Sequence, residues 1–289
     1  MTTTTHPAST PVPATASTAG SAADEHGPRP SIGRARPSAL AQVLRLISAE
    51  LRLFCREPQA IVFVFGFPVI TVLVLGSVFG NAPGEADFEG VNPQHFYTAA
   101  YLGVVLCAVA LIMLPVHLAS YRERGVLRRF DTSGFPRWAV PFTVMASGIT
   151  FAVLGFGALL IVARLAFSLP PVDDPFRTVV GVVVGTLAFT SLGVALGSLL
   201  PTARAAQGLG LLAFFPLFLL SGGGPPPQAM SDNMRSVSDW LPLSHVIRSI
   251  QEPWLGLGTG SGHLAVTAGL LVVSTAVWVG RAARTSRAS

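Results

Sequence analysis

Residues 97–118 read YTAAYLGVVLCAVALIMLPVHL, without a single Asp, Glu, Lys or Arg, and residues 119–138 continue ASYRERGVLRRFDTSGFPRW, with five Arg. An apolar run of about 18 residues or more crosses a hydrocarbon core of ~30 Å as a helix. A basic segment directly after it marks the cytoplasmic end of such a crossing. Outward from this pair, further uncharged apolar runs occupy 61–79, 139–162, 178–200, 205–221 and 263–280. The fifth run is short and contains Pro216. The reading is an all-α integral membrane protein with six transmembrane helices.

Composition agrees. Of the 289 residues, 51% are hydrophobic and 11% charged, where soluble domains carry about 25% charged residues. All 19 basic residues are Arg, since the chain contains no Lys. A P-loop needs its Lys on the β- and γ-phosphates, and Schiff-base catalysis needs a Lys amine. Both chemistries are therefore excluded for this polypeptide. The pI near 10.2 reflects basic flanks of membrane spans rather than a nucleic-acid footprint. Cys55 lies at a span flank and Cys107 inside a span, so neither a disulfide nor a metal site is expected.

Residues 1–37 are mostly Thr, Ala, Pro, Ser and Gly, too poor in large apolar side chains to offset the entropy of ordering. They read as a disordered cytoplasmic tail. They lack the basic and apolar regions of a secretory signal, so the first span is expected to act as the insertion signal. The membrane domain covers 38–285, and 286–289 is a short cytoplasmic end. Within 40–54, Leu40, Val43, Leu44, Ile47, Leu51 and Phe54 share one helical stripe, with Arg45, Glu50, Arg52 and Arg56 on other faces. Such a basic amphipathic helix, with Ser38 as N-cap and Pro58 as its end, lies along a membrane surface or docks on a partner.

Orientation follows from the Arg distribution. With the N-terminus inside, 15 Arg and 6 acids fall on cytoplasmic segments, against 4 Arg and 8 acids outside. Both termini are therefore expected in the cytoplasm. Internal prolines at Pro68, Pro115 and Pro216 are tolerated where neighbouring helices serve the freed carbonyls. Glycines such as Gly148, Gly155, Gly185, Gly193 and Gly197 suit close helix approach. The Gly208-Leu-Gly210 pattern sits in an apolar run without a preceding strand, so it reads as packing and not as a dinucleotide fingerprint.

Catalysis finds little support. None of the six runs holds a charged side chain, and His117 is the one internal candidate for a proton relay. Ser147, Ser191 and Ser198 with His263 would be the material for intramembrane proteolysis, but Ser also serves packing. The six His show no ligand-like spacing. No catalytic residue and no metal ligand is assigned. The densest polar feature is Arg122, Glu123, Arg124, Gly125, Val126, Leu127, Arg128, Arg129 and Phe130, an amphipathic turn with an apolar and a charged face. Read plainly it anchors orientation; its apolar residues also suit a docking element.

The string RERGVLRRF…PRW resembles the intracellular loop of ABC-2 type permeases, the group that includes antibiotic-resistance exporter subunits. The matching positions are Glu123, Gly125, Leu127, Arg128, Arg129, Pro136 and Arg137; Asp131 to Phe135 are less typical. A second resemblance lies in LSGGGPPP (220–227) and SDWLPLSHVIRSI (238–250), an outer hairpin built on Ser221, Gly222, Pro225, Leu241, Pro242 and Arg248. The resemblance runs from about 39 to 285. It implies the ABC-2 type permease fold, a second permease copy or homologue, and a separate ABC ATPase subunit that binds ATP and Mg, with no cofactor on this chain. It implies export of an apolar or amphipathic compound (drug, antibiotic or lipid-like) from the cell inner or plasma membrane, among membrane lipids and without nucleic acid. An ion-coupled secondary carrier is the alternative, and a structural membrane protein the third reading.

The topology is directly testable. In a Cys-free background, single cysteines at Glu89 and Arg128 are expected to label from opposite sides of intact cells with an impermeant reagent. Labelling of Arg128→Cys from outside would overturn the orientation.

Overall fold

The computed structural model describes residues 48, 58–79, 88–125, 139–167, 169 and 171–287, all within one compact unit, Ala39–Ser289. The tail at 1–37, the surface helix expected over 40–54 (apart from Ser48, which is helical) and the loop residues Val126 to Phe130 lie outside them. The described residues are almost entirely helical, and six helices are long and apolar enough to cross a membrane. Helix α1 runs through Pro58–Ile61, a π turn at Val62–Gly66 and Phe67–Phe79. Helix α2 runs through Pro93–Ala108, a π turn at Val109–Met113 and Leu114–Glu123. Then come α3 (Ala139–Ala166), α4 (Pro175–Leu199) and α5 (Ala203–Leu220). A 3₁₀ turn at Pro227–Ala229, α6 (Asp232–Ser238) and α7 (Pro242–Leu255) form the hairpin before α8 (Ser261–Arg287).

Five helices start earlier than their apolar runs, and in three of them a side-chain cap fixes the start. Asn92 accepts the Gln94 N–H at 2.9 Å ahead of Pro93, and Asp174 accepts the Arg177 N–H at 3.0 Å ahead of Pro175. Thr202 accepts the Ala205 N–H at 3.1 Å. Each cap satisfies an orphan donor of the first turn, and Pro in that turn has no N–H to lose. The polar first turn belongs to the helix but not to the apolar run.

Helix α2 is the axis of the bundle. Of its apolar window 94% is buried, against 22% for α1 and α5 and 11% for α8. Both π turns end two residues before a proline, at Gly66 before Pro68 and at Met113 before Pro115. Proline withdraws the N–H owed to the carbonyl four residues back, and inserting a wider turn is one way a helix absorbs that loss. For Pro115 that carbonyl belongs to Leu111, and it faces Gly210 of α5, where a Cβ would stand 2.1 Å from the oxygen. The preceding Ala110 carbonyl faces Gly193 of α4 in the same way, at 2.8 Å. Close approach here is possible only without a side chain. Gly208, its neighbour in the Gly-Leu-Gly pattern, faces open space.

Aromatic rings bind α1 to α5. Phe67 meets Phe218 with centroids 5.0 Å apart and Phe63 meets Phe214 at 5.7 Å, both edge-on, the geometry that ring quadrupoles favour. Helix α8 leans on α4 through Ser191, whose Oγ pairs with Thr275 Oγ1 at 2.9 Å and accepts the Trp278 indole N–H at 3.2 Å.

Gly210→Ala is expected to lower the unfolding midpoint of the purified protein, because its Cβ would overlap a backbone oxygen that cannot rotate away; overpacking of this kind costs ~1–3 kcal/mol. Gly208→Ala is expected to leave the midpoint within error or raise it slightly. Thermal unfolding in one detergent compares the two, and equal midpoints would refute the close-approach account.

Candidate functional site

Polar chemistry gathers at the two ends of α2. At the first, α2 closes on Arg124, and Gly125 takes the left-handed conformation (φ +65°) with its N–H donating to the Arg122 carbonyl. Arg122 reaches across to the end of α4, where Nη1 donates to the carbonyls of Ser198 (2.9 Å), Leu200 (3.1 Å) and Gly197 (3.3 Å). Glu123 Oε1 accepts the Ala203 N–H at 3.1 Å, at the start of α5. A cation thus sits on the negative end of one helix and an anion on the positive end of the next, the favourable sense for both helix dipoles. The pair splints the Leu200-Pro-Thr202 turn joining α4 to α5. Sequence reading assigned Arg122 and Glu123 to a docking face and missed this turn. Arg124 is exposed, with no part in the splint.

The hairpin end is built on α7. Leu241 precedes Pro242 at its first turn, and Gly256 (φ +70°) ends it. Tyr101 of α2 donates its hydroxyl to the Gly223 carbonyl at 2.8 Å, and Gln251 Nε2 donates to the Phe96 carbonyl at 3.0 Å. Arg235 of α6 donates to the carbonyls of Pro227 and Gln228, each at 3.1 Å. Of the hairpin residues expected from the sequence, Ser221, Gly222 and Arg248 come together around a small cavity. Pro225 stands exposed in the turn, while Leu241 and Pro242 only start α7.

Beside the cavity lies a constellation the sequence reading missed. Glu252 Oε2 accepts the Gly260 N–H at 2.9 Å, and its Oε1 stands 3.3 Å from His263 Nε2. His263 Nδ1 lies 2.9 Å from Nδ1 of His245. One ring must donate and the other accept, so the bond survives a single proton on the pair but not one on both rings. His245 and Glu252 stand seven apart on α7, hence on one face; that spacing was the available signal, but His263 comes from another helix. The hydroxyls weighed for proteolysis serve local bonds: Ser147 donates to Thr143 and Val144 carbonyls, and Ser198 to Ala195.

Burial pushes the His245 imidazole below its ordinary range, and the neighbouring His263 and Arg248 act in the same direction, while Asp239 opposes them. The unfolded chain then binds the His245 proton at a higher pH than the folded one, so this residue's contribution is present above about pH 6.5 and is lost as pH falls below it. The unfolding midpoint is expected to drop as pH is lowered from about 7.5 to 5.5, and His245→Asn is expected to flatten that slope. An unchanged slope in the variant would remove His245 as its source.

Residues 41–253 match the family model described as ABC-2 type transporter, which covers most of the chain and takes in every described helix from α1 through α6 and nearly all of α7. A comparison with curated proteins returns no match.

Proposed function

Because the chain belongs to the ABC-2 type transporter family, and is accordingly a membrane permease component of an ABC transporter, we propose that it forms the membrane half of an ATP-driven exporter for an apolar or amphipathic compound. ATP and Mg would act on a separate ATPase subunit. The observation that carries this reading is a chain with no Lys anywhere, combined with a charged helix end at 122–125 that is tied rigidly to two further helices. A pump without its own phosphate-binding Lys needs nucleotide chemistry from a partner.

In this reading the loop continuing from Arg124 through Val126, Leu127, Arg128, Arg129 and Phe130 docks the ATPase, with the apolar residues filling a groove. Arg122 and Glu123 support the loop from its base. A second permease copy completes the translocation path, since a closed symmetric pair leaves no unmatched surface. The Arg asymmetry supports cytoplasmic termini and a cell-membrane location, with the hairpin outside. ATP binding then rocks the paired bundles, and swinging such an equilibrium from 1:99 to 99:1 takes about 5.5 kcal/mol of differential binding.

Leu127→Ser is the discriminating variant, because it removes an apolar contact and no charge. It is expected to insert normally, yet to bind the ATPase subunit roughly thirtyfold more weakly, the loss of a hot spot worth ~2 kcal/mol, and to export little. Glu123→Gln keeps an oxygen for the Ala203 N–H and is therefore the milder change. The purified chain alone is expected neither to bind nor to hydrolyse ATP. Normal ATPase association and transport by Leu127→Ser would reduce the loop to a charge anchor, and ATPase activity surviving removal of every other polypeptide would overturn the two-subunit reading.

A further inference from the structure

Where α5 stops and α2 begins, a cavity of about 100 Å³ opens among Glu89, Ser221, Arg248 and Glu252, with Phe96 and Ile247 as apolar walls. Its free polar capacity is mostly that of an acceptor. Ser221 is 2% exposed, and its Oγ meets no hydrogen-bond partner among the described residues. Buried hydroxyls are almost always paired, so an orphan in a polar cavity points to a missing occupant. Glu89 accepts from the Gln228 side-chain amide, which carries no charge, and no cation pairs with it among the described residues. Arg248, by contrast, already faces Asp239 at 3.2 Å.

Two carboxylates against one guanidinium that is itself matched leave the cavity negative. The group that would complete it is small, positively charged and rich in N–H donors. A primary ammonium has three donors and no acceptor, which suits Glu89, the Ser221 hydroxyl and Glu252. At about 100 Å³ the cavity offers several times the space one water needs, room for an aminoethyl group. A trimethylammonium is bulkier and has no N–H to give. The cavity lies at the ends of two spans, α5 and α2, and the ends of spanning helices are where a bundle meets lipid headgroups.

We propose that this cavity binds a primary ammonium group, carried by an ethanolamine phospholipid headgroup or by a free small amine. The proposal does not rest on the transport reading, since it concerns a site at the hairpin end whatever the bundle moves. It is tested on the full-length chain purified in detergent and titrated with phosphatidylethanolamine, with phosphatidylcholine of the same acyl chains and with free ethanolamine, counting bound molecules by native mass spectrometry. Either lipid preference or saturable ethanolamine binding is expected, the ethanolamine lipid being held about tenfold more tightly than the choline lipid, as one lost charge-assisted donor set would give.

Glu89→Gln and Ser221→Ala are expected to reduce that preference, or the ethanolamine binding, to within about twofold of background, while a thermal unfolding scan shows both variants folded. A lipid preference that millimolar ethanolamine does not displace assigns the lipid as source. Ethanolamine binding without a lipid preference assigns the free amine. Equal retention of both lipids with no ethanolamine binding overturns the proposal, and so does a preference that both variants keep.

Discussion

Hydrocarbon offers no hydrogen bonds, so a carbonyl that a proline frees inside a spanning helix must be accommodated by the protein. This constraint organises the bundle. Pro68 and Pro115 each follow a π turn by two residues, and the carbonyls four residues before them belong to Val64 and Leu111. Val64 O lies 3.5 Å from where a Cβ of Gly155 would be, and Leu111 O lies 2.1 Å from that of Gly210. Gly210 of α5 thus takes up the place where α2 is distorted, while the Val64 carbonyl makes an ordinary contact with α3. Pro216 of α5 has no such turn, and Leu212, four residues before it, is an exposed side chain. The helices with wide turns are the ones whose distorted carbonyls meet another helix.

With α2 fixed in this way, its two ends become fixed points for everything else. At one end Arg122 and Glu123 hold the turn between α4 and α5. At the other, Tyr101 and the Phe96 carbonyl hold the hairpin through Gly223 and Gln251. One buried helix therefore joins the charged loop base to the hairpin by hydrogen bonds at both ends. A displacement at residues 122–125 acts on α2, α4 and α5 together, because separating them means breaking charge-assisted bonds to helix termini. A permease driven by a docked subunit needs a connection of this kind.

Much of the fold was legible in the sequence, because an uncharged run of eighteen or more residues has few other uses. What was not legible were the helix starts. Pro93, Gln94 and His95 at the start of α2, and Pro175 and Phe176 with Arg177 at the start of α4, belong to turns fixed by Asn92 and Asp174 caps and not by hydropathy. The prolines were visible; the π turns before them were not, since they depend on which neighbour faces the freed carbonyl. The site divides along the same line. Arg122 and Glu123 stood out as charged residues, but their partners at 197–203 are backbone atoms that no sequence pattern displays. The hairpin constellation draws on α7 and on the start of α8, and the cavity beside it adds Glu89 from far earlier in the chain. Its His245–Glu252 half was readable from helical spacing; its His263 half needed the tertiary fold.

Such a division of labour follows from the solvent. Inside the apolar runs hydroxyls are turned back on their own backbone or on a neighbouring helix, as Thr186, Thr190 and Ser191 show. Charged groups lie at the ends, where water and headgroups lower the cost of ionisation. At the hairpin end, the His245–His263 bond requires one unprotonated Nδ1, and Glu252 faces both that pair and the cavity. One side chain thus holds the Gly260 N–H, the His263 ring and part of the cavity wall together, at the point where α7 turns into α8.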